Sequence, residues 1–191
     1  YPNVMSLDVT GPLQVFASAN VERQRQGLPA FYRLVVLGQQ AGAIATSAGF
    51  QLVAEQAWRE IDAAQIDTLL IPGGLGEQAQ CQNQELLSWL RAAEPQVRRL
   101  GSVCSGALIL AAAGLLDGRR ATTHWADADN LRQDYPDVEV LANCLHTYDP
   151  QDLHGNGHVF TSAGVTAGID LALALVEADL GRVTALAVAR R

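Results

Sequence analysis

The cysteine at position 104 is the side chain best placed for chemistry in this sequence. It follows the apolar run Leu100–Val103 and precedes the small residues Ser105-Gly106-Ala107, which can open a helix. This order predicts a nucleophile elbow, a tight strand-to-helix bend that holds its central residue in strained dihedral angles. Free N–H groups at the start of the helix would stabilise a thiolate there. The alternative is a small core residue, since cysteine is often buried.

A Pro72-Gly73-Gly74 turn ends a second apolar run, Asp67–Ile71. In an α/β protein, ligands bind at the carboxyl ends of the parallel strands, so we expect this turn and Cys104 to share one pocket. Backbone N–H groups around Gly73 and Gly74 can point at an oxyanion, because glycine has no Cβ in the way. An ordinary strand-ending turn is the alternative interpretation.

Three other polar side chains interrupt apolar stretches. Asp8 stands just before a helix predicted to begin at Thr10; it can cap that helix or face Cys104 as an acid or base. His124 can orient or protonate a group near the thiol, or be a hydrogen-bonded structural histidine. Asp170 falls in an apolar helix, where a solvated position is favoured over a buried, partnered one.

The remaining histidines and cysteines do not have the spacing of a metal site. His146, His154 and His158 lie in or beside a Gly/Asn-rich turn, and the three cysteines form no C-x-x-C pair. We therefore assign no metal, no disulfide framework and no cofactor.

Strand and helix patterns alternate along the chain, which predicts a mostly parallel sheet covered by helices on both faces. Because such domains normally begin with a strand, one more strand is expected upstream of Tyr1. The predicted helices are Thr10–Gln26, Glu85–Ala93, Ala107–Ala113, Ala126–Asp134, Val165–Leu180 and Val183–Arg191. The predicted strands and hairpins are Phe31–Leu37, Ala43–Val53, Asp67–Ile71, Val97–Val103, Val138–Leu141, and Leu145–Tyr148 with His158–Thr161.

Composition narrows the class of protein. The 191 residues, 49% of them hydrophobic, suit a single domain with a sizeable core. No apolar run approaches the roughly 20 residues of a membrane span and no leader is visible, so a cytoplasmic location without membrane contact is expected. The net charge of −7 repels nucleic acid phosphates, so any contact with DNA would be made by another domain.

Five segments together resemble the class I glutamine amidotransferase-like (ThiJ/PfpI) superfamily, and more narrowly the N-terminal sensory domain of GlxA-type AraC-family transcription regulators. The resemblance implies a flavodoxin-like three-layer α/β sandwich, a homodimer, and an elbow cysteine at Cys104. It also implies that residues 1–191 form one domain that lacks its first strand and a C-terminal helix-turn-helix domain. The segments that carry it are Leu7–Pro12, Ile71–Gly74, Val103–Ala107, Ala113–Trp125 and Thr161–Asp170.

The leading functional hypothesis is a ligand-sensing and dimerisation domain of an AraC-type regulator. The resemblance implies a small nitrogen-containing metabolite as the effector, and DNA binding only through a C-terminal domain that this sequence does not include. The candidate ligand-binding residues are Asp8, Gly73, Gly74, Cys104, Ser105 and His124.

Two alternatives remain open. Isonitrile hydratases of the same superfamily pair an aspartate at the position of Asp8 with the elbow cysteine and a following hydroxyl residue, here Ser105. The catalytic residues of such an enzyme would be Cys104, Asp8 and His124. A thiol redox sensor is the third class, because an accessible thiolate is oxidised readily. Peptidase activity is disfavoured, since PfpI-type peptidases carry histidine directly after the cysteine.

Overall fold

A parallel sheet of three strands carries the candidate site in the computed structural model, which describes residues 1–191. Strand β6 (Arg99–Ser102) lies between β5 (Thr68–Ile71) and β9 (Val159–Thr161). Side chains alternate between the two faces, as the period of two requires. One face carries Leu69, Leu100 and Val159, and the other carries Leu70 and Phe160.

Helices cover both faces of this sheet. The first, sixth and seventh helices pack together on the face that carries Phe160, and the second to fourth helices pack on the other face. The prediction of a flavodoxin-like α/β fold is confirmed. No helix has the length and apolar character that crossing a membrane requires. The helices are α1 (Ser6–Arg25), α2 (Glu77–Cys81), α3 (Gln84–Ala93), α4 (Gly106–Ala112), α5 (Ala128–Asp134), α6 (Ala167–Leu180) and α7 (Arg182–Ala189).

Six short strands form three further pairs. The hairpin predicted within Ala43–Val53 is confirmed, because β2 (Gly42–Ala45) and β3 (Gln51–Ala54) pair antiparallel. The two other pairs are parallel. They are β1 (Leu37–Gly38) with β4 (Gln56–Ala57), and β7 (Arg120–Ala121) with β8 (Glu139–Val140).

Two predicted strands are largely wrong. Phe31–Leu37 enters a strand only at Leu37, and the Phe31 side chain is half-exposed, because nothing pairs with most of the segment. Leu145–Tyr148 forms only one antiparallel bridge, between His146 and Ser162. The predicted partner, β9, pairs with β6 along one edge. Along its other edge the contact with this segment is short: the Thr147 N–H donates to the Thr161 carbonyl at 2.9 Å and the Ala163 N–H to the Leu145 carbonyl at 2.8 Å.

A buried ion pair joins the amino end of the sheet to the end of α6. Nη2 of Arg99 lies 2.7 Å from Oδ2 of Asp179, and the two side chains are only 3% and 4% exposed. Tyr32 donates its hydroxyl to the same oxygen, and the half-exposed Arg98 contacts Oδ1 at 3.1 Å. The pair therefore holds three separate segments of the chain together.

Removing Arg99 should destabilise the fold strongly. Arg99→Ala removes the buried positive charge that pairs with the Asp179 carboxylate. We expect a loss of about 3 kcal/mol in the free energy of unfolding. Arg98→Ala is the matched control, because that side chain is 52% exposed and its loss should cost below about 1 kcal/mol. Urea denaturation measures both values. Equal losses in the two variants would contradict the role given to the buried pair.

Candidate functional site

The elbow predicted at Cys104 is present. Cys104 connects β6 to α4 with a φ of 57°, a left-handed conformation that costs a non-glycine residue about 1–3 kcal/mol. Backbone contacts from three segments hold it in place. The Val103 N–H donates to the Ile71 carbonyl at 2.9 Å, the Cys104 N–H to the Ala163 carbonyl at 3.2 Å, and the Thr123 hydroxyl to the Cys104 carbonyl at 2.9 Å.

Asp8 approaches the elbow from α1. The helix begins at Ser6 rather than at Thr10, so Asp8 lies in its first turn instead of capping it. Its Oδ2 accepts a hydrogen bond of 3.0 Å from the Gly73 N–H, while its buried Oδ1 has no well-formed hydrogen bond. Burial raises the pKa of this carboxyl group to about 6, against the lowering effect of hydrogen bonds from Gly73 and Cys104.

The Pro72-Gly73-Gly74 turn connects Asp8 to the elbow. The Gly74 N–H donates to Oγ of Ser105 at 3.1 Å, while the Gly73 N–H is held by Asp8. A Cβ at Gly73 would lie 2.6 Å from the backbone nitrogen of Ser105 and 3.0 Å from Oδ2 of Asp8. Only glycine permits this approach, and both N–H groups proposed as oxyanion donors already have partners within the protein.

The thiol itself is neutral at physiological pH. Burial and the nearby Asp8 carboxylate raise the pKa of Cys104 to about 11, although the N–H groups of Ser105 and Val165 oppose the shift. Only about one thiol in ten thousand is ionised at pH 7 with such a pKa. The prediction that the helix start stabilises a thiolate is therefore wrong in net effect: the N–H groups act as expected, but burial outweighs them.

Val165 is a site residue that the sequence analysis missed. Its N–H interacts with the Cys104 sulfur, and its φ of 35° is unusual for a β-branched residue. It follows β9, which the sequence predicted as half of a hairpin and which the structure places parallel to β6, so the rule that sites form at the carboxyl ends of parallel strands did not indicate this segment. Local composition gave no separate signal.

The remaining candidate residues from the sequence are His124 and Asp170. His124 accepts a hydrogen bond from the Ala126 N–H, lies 3.9 Å from an Asp127 oxygen, and packs against Gly164. It is therefore beside the Val165 segment, and its described contacts do not include Cys104. Asp170 is exposed, which is the solvated position that the sequence analysis favoured.

Histidine, cysteine and carboxylate side chains do not converge in any group of three that could hold a metal ion.

The arrangement couples a protonated thiol to a carboxyl group that titrates near neutrality. Asp8, with a pKa of about 6, can take a proton from a bound molecule or return one. Cys104 is 5% exposed, so a molecule that contacts it is largely removed from water. The pair therefore has a proton donor beside a proton acceptor, and attack by the sulfur would require the thiol to lose its proton to Asp8.

The chain is thus a flavodoxin-like α/β protein in which an elbow cysteine interacts with a buried carboxyl group. The family model described as the DJ-1/PfpI family matches residues 2–178. The chain therefore belongs to the DJ-1/PfpI family.

Individual relatives include both enzymes and transcription regulators. The chain is 35% identical over 185 residues to the isonitrile hydratase of Pseudomonas putida, covering 97% of this chain and 72% of the relative. It is 32% identical over 160 residues to the HTH-type transcriptional regulator CdhR of Pseudomonas aeruginosa, covering 84% of this chain and 44% of the relative. The chain thus spans less than half of that regulator.

The fold is shared with solved structures. A THiJ/PfpI family protein from Pseudomonas syringae superposes with a TM-score of 0.80 at 27% identity, over 98% of this chain and 69% of that one. Regulators and a hydratase are both among the relatives, so family membership alone leaves the function to be argued from the site.

Replacing Asp8 should make the thiol more acidic. Because the Asp8 carboxylate raises the pKa of Cys104, Asp8→Asn should lower that pKa below about 11. In a Cys81→Ser, Cys144→Ser background, alkylation by iodoacetamide at pH 8 should accelerate by about threefold or more. Asp129→Asn is the control, since that side chain is 96% exposed and should change nothing. An unchanged alkylation rate in Asp8→Asn would show that the carboxylate does not act on the thiol.

Proposed function

We propose that this chain is the ligand-sensing domain of an AraC-type transcription regulator, with Cys104 and Asp8 at the ligand site. The observation that carries the proposal is the position of α1, which bears Asp8 in its first turn and contacts Arg191 through Glu22 near its other end. The similarity to the regulator CdhR supports the same assignment. Contact with DNA belongs to a domain outside residues 1–191.

Helix α1 provides a direct mechanical connection from the site to Arg191. Glu22, in the last turns of α1, accepts from Nη2 of Arg191 at 2.5 Å and from its Nε at 2.8 Å. Helices α6 and α7 both pack on α1 along its length. A ligand that moves Asp8 relative to Gly73 therefore shifts the helix to which Arg191 is bound. A shift of this kind requires different ligand affinities in the two arrangements.

The protonated thiol favours binding over rapid catalysis. With a pKa of about 11, Cys104 presents an S–H group and no permanent negative charge. Asp8 then supplies the charge, and its buried Oδ1, which has no well-formed hydrogen bond, would accept one from a ligand that enters the site. A protonated amine or an amide N–H is such a donor, which agrees with a small nitrogen-containing effector.

A homodimer is part of the same proposal. Val183 on α7 is 82% exposed and Leu186 on the same helix is 45% exposed, although α7 otherwise packs against α1 and α6. An apolar face of this kind, beside the end of the chain, would let two copies set the relative positions of two DNA-binding domains.

A thermal-shift screen of amino acids, amines and amides tests the sensing role. An effector that binds only the folded state at a hundred times its Kd adds about 2.7 kcal/mol to the free energy of unfolding. We expect at least one hit, and we expect Asp8→Asn to abolish its shift while Asp129→Asn keeps it. A compound that still raises the melting temperature of the Asp8→Asn variant would bind at another place. Absence of any hit across the three classes would contradict the proposed effector chemistry.

An isonitrile hydratase is the second candidate, favoured by the Cys104–Asp8 pair and by the hydratase relative. The thiol proton would pass through Asp8 to the isonitrile carbon while sulfur bonds to that carbon, giving a thioimidate on Cys104. Water would then add to this carbon and the C–S bond would break. The products are an N-substituted formamide and the restored thiol, so no oxidant or reductant is needed.

Turnover of cyclohexyl isocyanide separates the two candidates. If the chain is an enzyme, formamide production should fall by about a thousandfold or more in Cys104→Ala, since the nucleophile is lost. Cys144→Ala is the matched control, and circular dichroism confirms that each variant is folded. Turnover that persists in Cys104→Ala would exclude the mechanism. Absence of turnover in the unsubstituted protein would leave the sensing role as the one supported.

A further inference from the structure

Two residues with left-handed backbone conformations lie next to each other at the elbow. Val165 has a φ of 35° and Cys104 a φ of 57°. The two other non-glycine residues with positive φ are Asn3 and Asp152, whose short polar side chains tolerate this conformation. Val165 is β-branched, so its conformation is strained and must be imposed by its surroundings.

The residues on either side of Val165 are fixed by backbone hydrogen bonds. Before it, the Ala163 carbonyl accepts from the Cys104 N–H at 3.2 Å. After it, the Thr166 carbonyl accepts from the Ile169 N–H at 3.0 Å, in the first turn of α6. Val165 therefore connects the elbow to the start of α6, between two anchored residues.

Val165 itself has one polar partner, the Cys104 sulfur. None of the hydrogen bonds of the chain runs from the Val165 N–H to an oxygen. The N–H interacts with the sulfur instead, and together with the Ser105 N–H it opposes the rise in the pKa of the thiol. A thiol sulfur is a weak acceptor, so this contact is readily lost when the sulfur binds another group.

We propose that the Cys104 sulfur holds Val165 in its strained conformation, and that the turn 163–166 relaxes when a ligand or a covalent bond takes the sulfur away from the Val165 N–H. The turn then has two arrangements, one for the free thiol and one for the engaged sulfur. Val165 is thus a positioning residue that couples the state of the thiol to α6. The coupling operates whether the site binds an effector or carries out hydration.

The first turn of α6 has little room to absorb such a change. A Cβ at Gly168 would lie 2.7 Å from Cγ1 of Val103, and a Cβ at Gly11 of α1 would lie 3.0 Å from Cγ1 of Ile169. Helix α6 also packs against both α1 and α7. Because closely packed elements move together, relaxation of the turn should displace α1 as well as α6. The sulfur would then act on the same helix that carries Asp8.

A double-mutant cycle between Cys104→Ala and Val165→Gly tests the proposal. Glycine adopts a positive φ without strain, so Val165→Gly releases the strain that the sulfur maintains. In Cys104→Ala the turn has already relaxed, and the same substitution has no strain to release. Because both backgrounds lose the same valine side chain, only the strain differs between them. The change in melting temperature caused by Val165→Gly should be at least about 2 °C more favourable with the sulfur present.

Equal changes in the two backgrounds would overturn the proposal. Asp152→Gly is the matched control, because Asp152 also has a left-handed φ, of 54°. It precedes β9, whereas Cys104 follows the neighbouring parallel strand β6, so the two residues lie toward opposite ends of the sheet. Its effect on melting temperature should be the same in both backgrounds, since distant sites are additive. A background dependence as large as that of Val165→Gly would also overturn the proposal, because the coupling would then belong to the whole fold.

Hydrogen exchange measured by NMR tests the connection to α6. The amides of Ala167 and Ile169 donate to carbonyl groups of the turn, each at 3.0 Å, and should exchange about tenfold faster in Cys104→Ala. Cys104→Ser supplies a hydroxyl oxygen that can accept from the Val165 N–H, and it should keep the slow exchange. Unchanged exchange in Cys104→Ala, or equally fast exchange in Cys104→Ser, would overturn the proposal. Neither measurement needs a ligand, so the outcome is independent of the effector screen.

Discussion

The conformation of Cys104 is the constraint on which the rest of the site depends. A residue with a φ of 57° is strained unless its surroundings fix it, and here three segments do so. Ile71, Ala163 and Thr123 each contribute one hydrogen bond to the elbow backbone. Ile71 ends β5, Ala163 follows β9, and Thr123 follows β7 of the neighbouring strand pair. The elbow is thus held by three strand ends and not by its own small residues alone.

Burial sets the chemistry that this geometry can perform. It raises the pKa of both members of the pair, to about 6 for Asp8 and about 11 for Cys104. The result is a neutral thiol beside a carboxyl group that is ready to exchange a proton. Such a pair binds a hydrogen-bonding ligand without a reaction, or supports slow nucleophilic attack on an electrophilic carbon. The relatives include both a hydratase and a transcription regulator.

The sequence predicted those features whose cause is local. The small residues after Cys104 and the glycines after Pro72 indicated two strand-ending turns, and the structure has both. Features that depend on distant partners were not predictable in this way. The run 31–37 has strand composition, but a strand also needs a neighbour. Val165 faces the sulfur only because β9 lies beside β6, and no residue pattern near Val165 predicts that pairing.

Titration of the Asp8 carboxyl carbon by ¹³C NMR shows whether Asp8 and Cys104 form one coupled pair. We expect a midpoint near pH 6, well above the ordinary value of 3.8. Because the thiol hydrogen bond lowers this pKa, Cys104→Ala should move the midpoint higher. A midpoint near the ordinary value, unchanged in Cys104→Ala, would show that the two side chains are independent and would contradict the account.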